Sequence, residues 1–139
     1  MTTFSSLGLA VSTATVTETV TILGVSSSKR FTELTIQLPG KARAQATFTR
    51  EGLVTSLKKL FKNELQMGEK SFDDVVYVST DTPEATASFL SSAQVRDTVR
   101  RAVVDGGSVQ IVGNVVIVKM QGIGDDDPDV VGLVRALLG

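Results

Sequence analysis

Polar and apolar residues alternate strictly from Ala14 to Ile22, with Ala14, Val16, Val20 and Ile22 on one side and Thr13, Thr15, Thr17, Thr19 and Thr21 on the other. Glu18 interrupts the apolar side. A period of two built from β-branched residues predicts a half-buried strand. A Thr row raises two sharper readings, a regular ice- or polysaccharide-binding face and a flat edge that pairs with another chain. Strand propensity alone accounts for Thr on a solvated face, and the row is read that way. Gly24 to Arg30, rich in Ser and basic residues, reads as a loop. Alternation resumes over Phe31–Leu38, with Leu34, Ile36 and Leu38 inward, and Pro39-Gly40 predicts a tight turn. Lys41–Thr49 reads as a third strand, with Ala42, Ala44, Ala46 and Phe48 inside and Lys41, Arg43, Gln45 and Thr47 outside. Together these predict an antiparallel meander with one wet face.

Leu53, Leu57, Leu60, Phe61 and Leu65 recur at helical spacing, which predicts a helix over 51–66 stopped near Gly68. Val75-Val76-Tyr77-Val78 reads as a short buried strand, with Phe72 in the core. Asp73 and Asp74 then anchor the turn before it by accepting backbone N–H groups. If both belonged to a strand they would face opposite ways and could not share an ion. Thr82-Pro83-Glu84 carries the signs of a helix start, with Thr82 as cap. Ser91-Ser92 breaks that helix and starts another, on which Asp97 stands four residues before Arg101, a pairing distance. Gly113-Asn114 between Ser108–Val112 and Val115–Met120 is a strong hairpin signal. A last helix carries Val130, Val131, Val134, Leu137 and Leu138.

This order predicts an α+β fold, a mainly antiparallel sheet of about six strands with three or four helices packed largely on one face. The 139 residues fit one globular domain, with a strand-rich half over 1–66 and a strand, helices, hairpin and final helix over 67–139. Hydrophobic residues make up 42% and charged residues 21%, as in a folded chain rather than a disordered one. No apolar run reaches the roughly 18–20 residues of a membrane span, and no signal peptide is visible, so the default expectation is cytoplasmic.

Composition narrows the chemistry further. The chain has no Cys and no His, which removes thiolate nucleophiles, Cys- or His-ligated metals and His-based acid–base catalysis. The net charge is −1, with basic residues concentrated before residue 63, and no run of Lys or Arg exceeds two. Tyr77, Phe61 and Phe89 stand on apolar patterns and are expected in the core, leaving no aromatic platform for nucleic acid. Asp125, Asp127 and Asp129 match the first three positions of a calcium loop. The sixth and twelfth positions would be Val130 and Ala136, where the loop needs Gly and Glu. They remain the only metal candidates, and acidic residues suit a helix start without any ion. No cofactor is expected, and no catalytic motif is recognisable.

The stretch Phe61-Lys62-Asn63-Glu64-Leu65-Gln66-Met67-Gly68-Glu69-Lys70-Ser71-Phe72-Asp73-Asp74 resembles a pattern in uncharacterised bacterial domains. In those domains a helix ending near a Gly is followed by Phe-Asp, a short strand and a further helix. The resemblance extends to about Met120. It implies a fold unit that often accompanies membrane spans, although this chain has no such span, and no established activity. The expected role is a non-enzymatic protein-interaction or assembly module, with a protein partner or self-association. The alternative is a small-ligand or metal-ion binding domain, or a carboxylate-dependent hydrolase, in which Asp73 and Asp74 would meet Asp125–Asp129 in a cleft.

Overall fold

The computed structural model describes residues 2–52, 61 and 63–138. Seven strands form one antiparallel sheet: β1 (Ala10–Ile22), β2 (Val25–Gln37), β3 (Ala46–Arg50), β4 (Asn63–Leu65), β5 (Val76–Thr80), β6 (Ser108–Val112) and β7 (Val115–Met120). Their spatial order is β1-β2-β7-β6-β3-β5-β4. Four α-helices accompany them among the described residues: α1 (Lys70–Asp73), α2 (Pro83–Phe89), α3 (Ala93–Val103) and α4 (Pro128–Leu138). The architecture is α+β, with one strand more than the expected six.

One hydrophobic cluster runs from Phe4 near the N-terminus to Leu137 near the C-terminus. Alternate residues of the central strands supply its floor: Leu34 and Ile36 of β2, Phe48 of β3, Val78 of β5, Val109 and Ile111 of β6, and Val116 and Val118 of β7. Val95, Val99, Ala102 and Val103 of α3 and Val130, Leu133, Val134 and Leu137 of α4 close it from above. The 3.6-residue spacing of these positions gives each helix one apolar stripe, and the stripes meet on the strands' apolar face.

The predicted loop over Gly24–Arg30 is instead the first half of β2. β1 and β2 form a ribbon of thirteen paired positions closed by the two-residue turn Leu23-Gly24. Both turn residues have positive φ, 52° at Leu23 and 82° at Gly24, which matches the twist of a hairpin. The expected meander also fails. β2 pairs on its other side with β7, over Thr32–Gln37, and β3 lies between β6 and β5.

Two further boundaries differ from expectation. The third strand begins at Ala46 because residues 41–45 spend their backbone elsewhere. Ala42 N–H donates to the Gly113 carbonyl at 2.9 Å and Gln45 N–H to Thr82 Oγ1 at 2.8 Å. The supposed wet face of that segment is dry in part, with Gln45 and Thr47 buried and only Lys41 and Arg43 exposed. The helix predicted over 51–66 falls largely outside the described residues, but its end is a strand. Asn63–Leu65 pairs with Thr80–Val78, and the open side of β5 offers a hydrogen-bonding ladder that overrides helical preference.

The upper half of the β1–β2 ribbon, beyond Thr32, has no β7 partner, and it folds over the start of β6. Val20 packs against Gly106, Lys29 approaches Asp105 at 3.9 Å, and Glu18 meets Lys119 of β7 at 2.6 Å. The Lys119 ammonium also stands 5.3 Å from the ring centre of the buried Phe31. Beneath this fold-back Gly107 is pressed against the chain, since a Cβ there would lie 2.1 Å from the Lys119 carbonyl and 2.3 Å from that of Ala102.

Candidate interaction edge

The open side of β1 is built by the turn that closes the ribbon. In a two-residue hairpin the residues flanking the turn exchange hydrogen bonds, so Ile22 and Val25 form a hydrogen-bonded pair. Antiparallel pairing alternates from there. Val20, Glu18, Val16, Ala14 and Ser12 therefore bond inward to β2, while Thr21, Thr19, Thr17, Thr15, Thr13 and Val11 turn their N–H and C=O outward. No strand pairs with that outer side among the described residues. Their side chains stand clear as well: Thr13, Thr15, Thr17 and Thr19 are exposed, and Val20 is the only buried residue of the strand.

Register places the Thr row on the same face as Leu34 and Ile36, because Thr13 lies opposite Leu34 and Val11 opposite Ile36. The helices cover the central strands and leave most of this row uncovered. Its one described tether to the helical side is the Thr13 hydroxyl, which donates to Asp125 Oδ1 at 2.8 Å. Among the described residues the edge has none of the usual defences against pairing. It contains no Pro, Lys or Arg, and its single charge, Glu18, is held by Lys119 on the opposite face of the sheet. At the ribbon tip Leu23 and Val25 are exposed at 75% and 71%.

The acidic residues singled out in the sequence go to separate partners. Asp126 Oδ1 accepts from Phe4 N–H, and Asp125 from Thr13. Asp127 Oδ1 accepts from Asp129 and Val130 N–H at the start of α4, a helix cap, and Asp127 and Asp129 both receive hydrogen bonds from Arg101. Those contacts hold the Arg101 guanidinium above its ordinary pKa, the hydrogen bond to Asp127 contributing most. The predicted Asp97–Arg101 pairing is replaced by this bridge, which ties α3 to the first turn of α4. Among the described residues no group of three or more His, Cys, Asp or Glu could hold an ion.

Asp73 accepts from Met67 and Gly68 N–H at 2.9 and 2.8 Å, and Asp74 stands exposed. The two sit at the end of the one-turn helix α1 rather than on a strand, so the expected division between opposite strand faces does not apply. Phe72 is buried as expected. Phe89 is buried too, tilted against Phe48 at 6.2 Å, whereas Phe61 and Tyr77 are only half-buried.

A second polar group lies inside the fold. Gln45, Thr80, Thr82 and Thr86 are linked by hydrogen bonds of 2.8–3.5 Å, including Thr80 Oγ1 to the Gln45 carbonyl and Thr80 Oγ1 with Thr86 Oγ1. Thr82 sits at the cap position of α2 but makes no capping bond with its side chain; its hydroxyl instead accepts from Gln45 N–H. These groups satisfy one another and serve the fold. A groove of about 560 Å³ between α3 and α4 is lined by Ser92, Gln94, Val95, Val131 and Arg135, and has no carboxylate facing the single arginine.

Among the described residues no helix is long and apolar enough to cross a membrane. Comparison with protein-family models, with curated proteins and with solved structures found no match. Among the described residues β1 is the longer of the sheet's two border strands, thirteen residues against three in β4, and its outer side is the longest row of backbone groups without a strand partner. Its sequence signal was the Thr-rich alternation itself, with Glu18 its single charge, which gives the strand but not its place at the border of the sheet.

Proposed function

We propose that this chain is a protein-interaction or assembly module that takes up an extended segment of a partner along β1, adding an eighth strand to the sheet. The observation that carries this reading is a thirteen-residue border strand without a protective charge, proline or covering element among the described residues. Main-chain hydrogen bonds supply affinity in such strand addition, and alternate side chains supply selectivity. Here the partner would meet hydroxyls and methyl groups of Thr on one face and Ala and Val on the other. The exposed Leu23 and Val25 at the tip add an apolar contact at one end.

The test uses a displayed library of extended peptides, panned against the protein immobilised at low density. Thr17→Pro removes one outward N–H and leaves the inward ladder intact. Enriched peptides are expected to lose binding to this variant by at least tenfold while its thermal unfolding stays cooperative. The reading is overturned if no peptide is enriched, or if the peptides bind wild type and variant alike.

A further inference from the structure

We infer that one occupant of the β1 edge is a second copy of this chain, paired antiparallel about a twofold axis through Val16. This rests on the interaction reading above and names the partner. The argument starts from hydrogen-bond parity. Outward groups belong to Val11 and to Thr13, Thr15, Thr17, Thr19 and Thr21, so two copies can pair only with odd-numbered residues opposite odd-numbered ones. Every antiparallel register therefore sets Thr largely against Thr, and cross-strand Thr pairs are favourable. The edge is its own complement.

Length and charge choose among the registers. An axis at Val16 overlaps all thirteen residues, with Ala10 opposite Ile22, Thr15 opposite Thr17 and Glu18 opposite Ala14 of the other copy. Moving the axis to Glu18 would shorten the overlap and set two carboxylates against each other, which disfavours that register. At the Val16 axis neither copy meets a like charge, and each Glu18 keeps its own Lys119.

The area sets the strength. Thirteen residues at about 3.4 Å each give an edge roughly 44 Å long, and a sheet layer about 10 Å thick gives about 440 Å² per copy. The total of about 900 Å² falls at the low end for a specific interface, the range of weak and transient contacts, so the dimer is sought at high protein concentration.

The chain has no cysteine, so a single introduced thiol reports the register without interference. Val16 meets its own copy at a non-hydrogen-bonded position, where Cα atoms stand about 4.5 Å apart, within disulfide range. Val16→Cys is expected to form a covalent dimer under mild oxidation at a few hundred micromolar. Asp97→Cys, exposed on α3, is expected to stay monomeric. Sedimentation of the unmodified protein should show concentration-dependent dimerisation that Thr17→Pro abolishes. If that variant unfolds, Thr17→Lys is used in its place, since it keeps the backbone and sets like charges across the axis. A wild type that stays monomeric to about 1 mM, or equal crosslinking of the two cysteine variants, overturns the inference. If peptides still bind the edge in that case, the broader reading stands and the partner strand comes from another protein. If they do not, both fall.

Discussion

The side chain of Gln45 and the backbone of Gly113 hold each other by two hydrogen bonds running in opposite directions. Gln45 Oε1 accepts from Gly113 N–H at 2.7 Å, and Gln45 Nε2 donates to the Gly113 carbonyl at 3.0 Å and to that of Ala42 at 2.9 Å. A glutamine amide thus acts as a strand neighbour for the β6–β7 turn, joining the segment before β3 to the central hairpin. Gln45→Ala leaves the part-buried N–H of Gly113 without its acceptor and should cost about 1–3 kcal/mol. Gln45→Glu keeps the acceptor and loses both donations, so it should be destabilising as well. Urea unfolding of the two variants measures both effects, and a loss under 0.5 kcal/mol for the alanine variant would show that the bridge is dispensable.

Leu23 occupies a backbone conformation that favours Asn or Gly, and it does so with 75% of its surface exposed. Leu23→Asn should relieve about 1 kcal/mol of left-handed strain. The expected result is a rise of a few degrees in Tm by scanning calorimetry. An unchanged or lower Tm would mean that contact of Leu23 with the region of Gly52 outweighs the strain.

Gly107 has no room for a methyl group, because the space is held by two backbone carbonyls rather than by movable side chains. Gly107→Ala should destabilise by about 3 kcal/mol or more through forced separation of α3 from β7. Gly40, with nothing near its missing Cβ and no left-handed φ, is the matched control and should tolerate alanine within about 0.5 kcal/mol.

The Arg101 bridge should be worth little by itself, since the guanidinium is 43% exposed. Arg101→Ala is expected to cost under about 1 kcal/mol, and less at high salt. Asp127→Ala removes the cap of α4 along with the bridge and should cost about 1 kcal/mol more. A raised arginine pKa contributes stability below the unfolded value and loses it only as pH rises through the folded one. Arginine titrates far above neutral in the unfolded chain and higher still here, so between pH 5 and 10 the arginine itself makes no pH-dependent contribution. Thermal melts of Arg101→Ala and wild type at pH 8 and pH 10 should keep a constant difference.

Much of the fold was legible because it follows local rules. Gly113-Asn114, Pro83 and the Ser91-Ser92 break mark their elements through backbone chemistry, and each element stands where these residues place it. The misses share one cause, competition from partners distant in sequence. Leu23-Gly24 does not look like a hairpin turn because Leu seldom takes positive φ, and Ser26, Ser27 and Ser28 read as loop when, among the described residues, β1 is the strand they pair with. Asn63–Leu65 becomes a strand through β5, Thr82 gives up capping to Gln45, and Arg101 leaves Asp97 for α4. The candidate edge was half legible: alternation revealed β1, but its position at the sheet border depends on β7 taking the other side of β2.

That dependence has a kinetic side. The β1–β2 ribbon closes through a two-residue turn, so it can form as soon as residue 37 has left the ribosome. Its sheet partner β7 is encoded about 80 residues later, which at roughly 5–20 residues per second means a delay of several seconds or more during synthesis. For that interval both borders of the ribbon are open, including the side of β2 that bears Leu34 and Ile36. A nascent chain is thus most prone to pair with its neighbours on a polysome before β7 arrives, and yield on expression should respond to translation speed between residues 37 and 120.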